Sequence, residues 1–73
     1  MEQAQTAEKG GRVAEAVRFY KQATAAGSGA AAKRLGDIYG KGAGDVSRDY
    51  QESLRYYEIA RSRGVEVPRA SSR

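Results

Sequence analysis

The sequence of 73 residues contains no cysteine and no histidine. Their absence excludes disulfides, the usual zinc sites, thiol nucleophiles and imidazole bases. No stretch approaches the roughly 20 apolar residues that a membrane-spanning helix needs. We therefore expect no metal, no other cofactor and no insertion into a membrane.

Carboxylates are the acid–base candidates that remain. Asp45 and Asp49 are close enough in sequence to suggest a general acid and base, but both fall in or beside a polar loop. No apolar segment surrounds them that would shift either pKa toward neutrality. We therefore predict that the chain is not an enzyme and that Asp49 has a structural role.

The first residues, MEQAQTAEK, contain neither a basic leader nor an apolar segment. They do not predict a secretory signal. The compartment stays open: the cytoplasm is preferred, and the periplasm is the alternative if the chain is part of a longer protein.

Proline is also scarce, because the chain contains a single one, Pro68. Residues 1–67 therefore lack the strongest helix breaker, while clusters of glycine supply natural helix ends. The pattern predicts an all-α chain with helices over 2–9, 12–26, 29–40 and 48–63, followed by a flexible tail at 68–73.

Two segments of the chain repeat each other. AVRFYKQATAAG, at 16–27, aligns with SLRYYEIARSRG, at 53–64, at a shift of 37 residues. Small, aliphatic and aromatic residues follow the same order in both segments, and each segment ends in glycine. This agreement indicates an internal repeat of two units.

Helical periodicity assigns an apolar face to each long segment. The second helix should bury Val13, Ala16, Val17, Tyr20 and Ala23; the third, Ala31, Leu35, Ile38 and Tyr39; and the fourth, Tyr50, Leu54, Tyr57 and Ala60. Gly36 lies inside the third helix, where glycine costs about 1 kcal/mol relative to alanine. We interpret it as a packing glycine that lets Tyr56 and Tyr57 approach the backbone.

From Ala31 onward the chain resembles the Sel-one-like repeat, a relative of the tetratricopeptide repeat. The upstream segment GRVAEAVRFYKQA, at 11–23, is similar to the second helix of a tetratricopeptide hairpin. The positions that carry the Sel-one-like resemblance are Ala31, Leu35, Gly36, Tyr39, Gly42, Gly44, Val46, Asp49, Tyr57, Ala60 and Gly64.

This resemblance implies antiparallel helical hairpins, about two repeats that form a short α-solenoid of four helices over residues 1–67. It also implies a non-catalytic scaffold that binds a protein or peptide, or another part of its own parent chain.

Four positions depart from the repeat pattern. Asp45 is an extra loop residue, Ser53 replaces an alanine, Tyr56 replaces a tryptophan and Arg61 replaces an alanine. An alanine at position 61 would face a following repeat. The arginine therefore predicts that no repeat follows and that the fourth helix is a solvated end cap.

The glycine-rich segment YGKGAGD, at 39–45, superficially resembles a phosphate-binding loop. Its spacing fits neither the Walker motif nor the dinucleotide fingerprint, and no strand is predicted before it. We expect it to turn the chain between two antiparallel helices and not to bind nucleotides. Ser47 is the predicted N-cap of the fourth helix, and Asp49 with Glu52 offers an alternative capping box.

The hypothesis for a partner site rests on incomplete burial. The first helix offers only Ala4 and Ala7 for packing, so Phe19, Val13 and Val17 should be poorly covered. We expect a protein partner, or a second copy of the chain, to bind there and on the exposed side of the third helix. The predicted binding residues are Phe19, Lys33, Arg34 and Asp37.

An alternative function is electrostatic binding of RNA or DNA. The net charge of +4 allows it, although nine acidic residues are interspersed with the thirteen basic ones. Such binding would need basic side chains to converge on one face. The candidates are Lys33, Arg34, Lys41 and Arg48.

Overall fold

The computed structural model describes residues 2–67, and over this range the chain forms four helices. They are α1 (Glu2–Lys9), α2 (Val13–Ala25), α3 (Gly29–Lys41) and α4 (Tyr50–Ser62). The predicted all-α class is confirmed, and every predicted helix boundary lies within two residues of the observed one. The predicted flexible tail at 68–73 lies outside the described residues. Between residues 2 and 67, no helix has the length and apolarity needed to cross a bilayer.

Each helix packs on its neighbour in the chain: α1 on α2, α2 on α3, and α3 on α4. The packing between α3 and α4 is the most extensive of the three. Successive helices therefore form two hairpins, with α2 enclosed by α1 and α3. By contrast, α3 is the only one of the helices within residues 2–67 on which α4 packs.

The core confirms the predicted faces of α2 and α3, except that Ala23 and Tyr39 are half-buried. Its buried members are Ala4, Ala7, Val13, Ala16, Val17, Tyr20, Ala31, Leu35 and Ile38. The expectation that Val13 and Val17 are poorly covered is wrong, since they are only 4% and 6% exposed. The loop after α3 covers Val13: a Cβ built on Gly44 would lie 2.7 Å from Val13 Cγ2. Phe19 is half-buried.

The interface between α3 and α4 depends on small residues. A Cβ built on Gly36 would lie 2.5 Å from Cδ1 and Cε1 of Tyr57, so the tyrosine ring occupies the space that a side chain would need. Ser53 is buried, and its hydroxyl donates a hydrogen bond of 2.8 Å to the carbonyl of Gly36. Gly36 is therefore a packing glycine, as predicted.

The structure corrects the predicted surroundings of residues on α4, chiefly Tyr56 and Tyr50. Tyr56 stacks on Tyr39, with ring centroids 6.0 Å apart, and does not cover Gly36 as predicted. Neighbouring residues point about 100° apart around a helix, so Tyr56 and Tyr57 cannot both face one glycine. Tyr50, predicted to be buried, is 58% exposed because α4 packs on one side only. Leu54 and Tyr57, predicted on the same face, are half-buried.

The segment after α4 folds back toward the start of α3. The amide of Val65 donates to the carbonyl of Ala60 at 3.0 Å. A Cβ built on Gly29 would lie 2.7 Å from Val65 Cγ2. Gly29 thus admits Val65 at the end of the second hairpin, just as Gly36 admits Tyr57 in its middle.

Candidate functional site

A bidentate ion pair connects α1 with α3. The guanidinium of Arg34 donates to Glu8 twice, from Nε to Oε1 at 3.2 Å and from Nη2 to Oε2 at 2.7 Å. The hydroxyl of Tyr20, on α2, also donates to Oε1 of Glu8 at 2.9 Å. One carboxylate on α1 therefore holds together three helices, and paired N–H groups fix the orientation of Arg34.

A second carboxylate, Asp37, lies next to this pair. The hydroxyl of Tyr57 donates to Asp37 Oδ1. Lys33 Nζ lies 3.4 Å from Asp37 Oδ2, and Arg34 Nη1 lies 3.9 Å from the same oxygen. The structure thus brings together Lys33, Arg34 and Asp37, three of the four residues predicted to bind a partner.

The two carboxylates are used in the same way in the two hairpins. Tyr20 and Tyr57 are related by the shift of 37 residues, and each donates its hydroxyl to a carboxylate on the preceding helix. Sequence reasoning missed Glu8. The signal that could have found it is the tyrosine itself, since a tyrosine at a buried repeat position needs an acceptor for its hydroxyl.

Burial and hydrogen bonding keep these side chains in the protonation states that the network requires. Burial, with the hydrogen bond to Asp37, raises the pKa of Tyr57 to about 12. Burial, with Glu8, also raises the pKa of Tyr20. The hydrogen bond to Glu8 raises the pKa of Arg34. At neutral pH both tyrosines are therefore donors and Arg34 is a cation.

The ion pair lies in a groove, which we call the α1–α3 groove. It consists of two adjoining cavities of about 510 and 140 Å³ that share Glu8 and Arg34. Its lining comprises Gln5, Glu8, Lys9, Arg34, Asp37, Ile38, Lys41, Gly42 and Ala43. Among residues 2–67, Lys9 and Lys41 have no carboxylate partner. The groove therefore presents uncompensated positive charge at its rim.

Phe19 belongs to a different surface. It lines a cavity of about 380 Å³ between α1 and α2, together with Gln3, Thr6, Ala7, Arg12 and Glu15. This cavity shares no lining residue with the α1–α3 groove. The structure therefore separates Phe19 from the three charged residues with which it was predicted to act.

Only some of the four basic residues predicted to bind nucleic acid lie close together. Lys33 and Arg34 already contact carboxylates, and Lys41 lines the groove together with Arg34. Arg48 is exposed in the loop after α3 and lines none of the three cavities.

The glycine loop between α3 and α4 is a turn, as predicted. Gly42 and Gly44 have φ of +72° and +55°, a region that favours glycine. Ala43 and Val46 exchange backbone hydrogen bonds of 3.0 and 2.8 Å across the turn. The amides of Gly42, Ala43 and Val46 are thus engaged within the protein.

The start of α4 decides between the two predicted caps. Asp49 is the N-cap, and its side chain accepts from the amide of Glu52 at 3.2 Å. The structural role predicted for Asp49 is confirmed, and the assignment of Ser47 as N-cap is wrong. Asp49 is better placed because its amide also donates to the carbonyl of Tyr39 at 2.8 Å, which ties the cap to the end of α3.

Comparison with known families now identifies the repeats. The Sel1 repeat family model matches residues 13–28 and 29–65, which together make up more than half of the chain. The chain belongs to the Sel1 repeat family. The second match covers the whole α3–α4 hairpin, whereas the first covers α2 and the turn after it. No curated protein and no solved structure gives a significant match.

Family membership supports a coarse functional statement. Sel1 repeats are helical hairpin repeats that generally mediate interactions between proteins and act as non-catalytic scaffolds. The four helices described above have this architecture. Within residues 2–67, no group of acidic side chains is arranged to hold a metal ion.

The extra residue in the loop of the second Sel1 repeat connects it to the first. Asp45 Oδ1 accepts a hydrogen bond of 2.9 Å from the amide of Ala14, in the first turn of α2. The N-cap residue of α2 itself, Arg12, makes no capping hydrogen bond with its side chain. Asp45 therefore caps α2 from the next repeat, a contact that local sequence patterns could not reveal.

Proposed function

We propose that this Sel1 repeat protein is a protein-interaction module that binds an acidic peptide segment in the α1–α3 groove. The observation that supports this proposal is the charge of the groove. Its two carboxylates, Glu8 and Asp37, already accept hydrogen bonds from tyrosine and contact cationic side chains. Lys9 and Lys41 remain available to a ligand of opposite charge.

The groove is also preorganised for such a ligand. Arg34 is held by Glu8 in a bidentate pair, while about half of its side chain stays exposed, at 48%. Lys33 keeps 40% of its side chain exposed beside Asp37. A peptide carboxylate could share these cations without reorganising the helices, and preorganisation of this kind lowers the entropic cost of binding.

Phe19 remains in the proposal as a second contact. Its cavity lies on the α1–α2 hairpin, so only a partner larger than a short peptide would contact both surfaces. The nucleic-acid alternative has less support, because Arg48, one of its four basic residues, lies outside the groove. It is retained as one arm of the test.

The test begins with a selection of random 12-residue peptides displayed on phage against the immobilised chain. Selected peptides are then titrated into isotope-labelled protein and followed by nuclear magnetic resonance. We expect the selected peptides to be acidic and to shift the amides of Gln5, Glu8, Arg34, Asp37 and Lys41. Selection of basic peptides, or shifts confined to other surfaces, would contradict the proposal.

Charge reversal in the groove should weaken this binding. Lys9→Glu and Lys41→Glu should each raise the dissociation constant of an acidic peptide roughly two- to fivefold, as exposed ion pairs allow. Arg18→Glu is the matched control, because this exposed residue of α2 lines none of the three cavities. Equal weakening by all three variants would indicate a general charge effect and not a groove.

Further titrations test the roles of Phe19 and Lys33 and the nucleic-acid alternative. Phe19→Asp should leave short-peptide affinity unchanged, whereas Lys33→Glu should reduce it. A random single-stranded oligonucleotide is titrated in parallel at several salt concentrations. Peptide affinity should fall modestly with salt, while tight oligonucleotide binding with a steep log–log salt slope would favour the nucleic-acid alternative.

A further inference from the structure

The two Sel1 repeats differ in how they cover their second helices. Three positions of α2 are 4%, 6% and 9% exposed, since that helix is flanked by both α1 and α3. Their counterparts 37 residues later lie on α4, which among the helices within residues 2–67 packs only on α3. The pairs are Val13 with Tyr50, Val17 with Leu54, and Thr24 with Arg61.

These counterparts are open on α4. Tyr50 is 58% exposed, Leu54 is half-buried and Arg61 is exposed. With half-buried Tyr57 they form what we call the α4 seam. Spacings of four, three and four residues, as in Tyr50, Leu54, Tyr57 and Arg61, are those of the contact line of a coiled coil. The α4 seam is thus spaced to contact another helix.

The composition of the chain's other exposed helix argues against head-to-tail association. Over residues 3–9 of α1, the exposed side chains are those of Gln3, Gln5, Thr6 and Lys9, all of them polar. They offer no apolar surface for Tyr50 and Leu54 of another copy. The α4 seam of a second copy does offer an apolar surface. Two identical patches related by a two-fold axis form a closed contact.

We propose that two copies of this chain associate through their α4 seams, with the two helices antiparallel. In this arrangement Tyr50 lies against Arg61 of the second copy, and Leu54 lies against Tyr57 of the second copy. An arginine over a tyrosine ring is a favourable cation–π contact. Parallel helices would instead place the two copies of Arg61 against each other, which is repulsive.

The residues that flank the α4 seam are also compatible with two antiparallel α4 helices. Gln51 would lie next to Glu58 of the second copy, and both are exposed. A glutamine amide can donate to a carboxylate, so no like charges are opposed. The contact is small, because a helix of 13 residues is about 20 Å long. It falls below the roughly 1,200 Å² of a standard stable interface, so the dimer should be reversible.

Analytical ultracentrifugation of the full chain tests the association. As concentration rises from roughly 10 μM to 1 mM, the range expected of a small interface, the average mass should climb from 7.9 kDa toward twice that value. Leu54→Asp should hold the mass at that of one chain. Arg55→Glu, on an exposed side chain outside the seam, should leave the dimer unchanged.

A second measurement tests the geometry without altering the seam. Because the chain has no cysteine, Gln51→Cys carries a single nitroxide label. The labelled protein is mixed with wild-type chains, which carry no nitroxide and are enriched in ¹⁵N. The nitroxide should then broaden the amides of Glu58 and Arg61 on the other copy. Broadening centred on Gln51 and Glu52 instead would indicate parallel helices and overturn the proposal.

Three other results would also overturn it. The first is a single-chain mass at every concentration. The second is intermolecular broadening of α1 amides, which would show head-to-tail contact. The third is an intramolecular nuclear Overhauser effect between Leu54 and residues 68–73, which would show that the chain covers its own seam.

Discussion

At the scale of single residues, the distance between α3 and α4 is set by side chains that are small or absent. Gly36 admits the ring of Tyr57, and Gly40 admits Ser53, whose Oγ lies 3.0 Å from the position of a Cβ on Gly40. Ser53 also satisfies its hydroxyl on the carbonyl of Gly36. The serine at position 53 therefore adds a hydrogen bond between α3 and α4.

Gly36→Ala should destabilise the protein despite the better helix propensity of alanine. The new Cβ would lie 2.5 Å from two ring carbons of Tyr57, so the ring or the helix must move. We expect a loss of about 1–3 kcal/mol in the free energy of unfolding, measured by urea denaturation.

Gly10→Ala is the control for this substitution. At Gly10 the nearest atoms to a new Cβ lie 3.6–3.8 Å away, which is ordinary contact, and φ is not positive. It should change stability by less than about 0.5 kcal/mol. Equal stability of the two variants would contradict the close approach of Tyr57 to Gly36.

Single residues also show which contacts and exposures the sequence could not predict. The glycine at position 36 was predictable because a glycine inside a helix requires a compensating contact. Which aromatic residue provides it was not, because Tyr56 and Tyr57 differ only in direction around α4. The exposure of Tyr50 was missed for a related reason: periodicity defines a face but does not state whether a neighbour covers it.

At the scale of helices, the starts of α2, α3 and α4 are capped in two ways. Ser28 caps α3 and Asp49 caps α4, each accepting from an amide three residues ahead at 3.1 and 3.2 Å. These caps follow from local sequence, and one of them was predicted. The start of α2 instead receives Asp45, 31 residues away from Ala14. Such a cap depends on the packing of two repeats, so no local pattern predicts it.

Asp45→Ala should therefore destabilise a helix to which it does not belong. Loss of the cap should cost about 0.5–2 kcal/mol, as for other N-cap substitutions, and amide exchange should accelerate at Ala14 and its neighbours. Urea denaturation and hydrogen exchange measure the two effects.

Ser47→Ala is the matched control in the same loop, because Ser47 is exposed and is not the N-cap of α4. It should change neither quantity appreciably. Faster exchange in the loop without any change in the first turn of α2 would contradict a cap supplied by Asp45.

At the scale of the whole molecule, backbone packing joins helices that follow each other in the chain, and it is unevenly distributed among them. Packing is most extensive between α3 and α4, and α1 contributes mainly Ala4 and Ala7 to the core. The one ion pair between α1 and α3 in the described part of the chain, Glu8 with Arg34, is partly exposed. Stability should thus be unevenly distributed, as in other repeat proteins.

Native-state hydrogen exchange should reveal this uneven distribution of stability. Amides in α1 should exchange fastest among the helices and those facing the α3–α4 interface slowest, because local opening of α1 exposes the least apolar surface. Glu8→Gln should widen the difference by weakening the contact with Arg34. Uniform protection across the four helices would show that the chain opens only as a single unit.

The fold could be predicted at this scale because the helix breaks, the internal repeat and the family resemblance agree. The candidate site could be predicted only in part. Lys33, Arg34 and Asp37 do lie together, yet Glu8, which organises Arg34 and Tyr20, was missed because it belongs to a helix with almost no apolar residues. Phe19 was placed with them since sequence spacing does not distinguish the two sides of a hairpin.

The hydrogen bond from Ala14 to Asp45 also has a consequence for synthesis of the chain. Translation proceeds from the N-terminus, and domains generally begin to fold while it continues. The first turn of α2 is therefore made well before the carboxylate that caps it. We therefore expect the first turn of α2 to gain this cap only after the loop of the second repeat has left the ribosome, and to fray in a nascent chain that stops before residue 45.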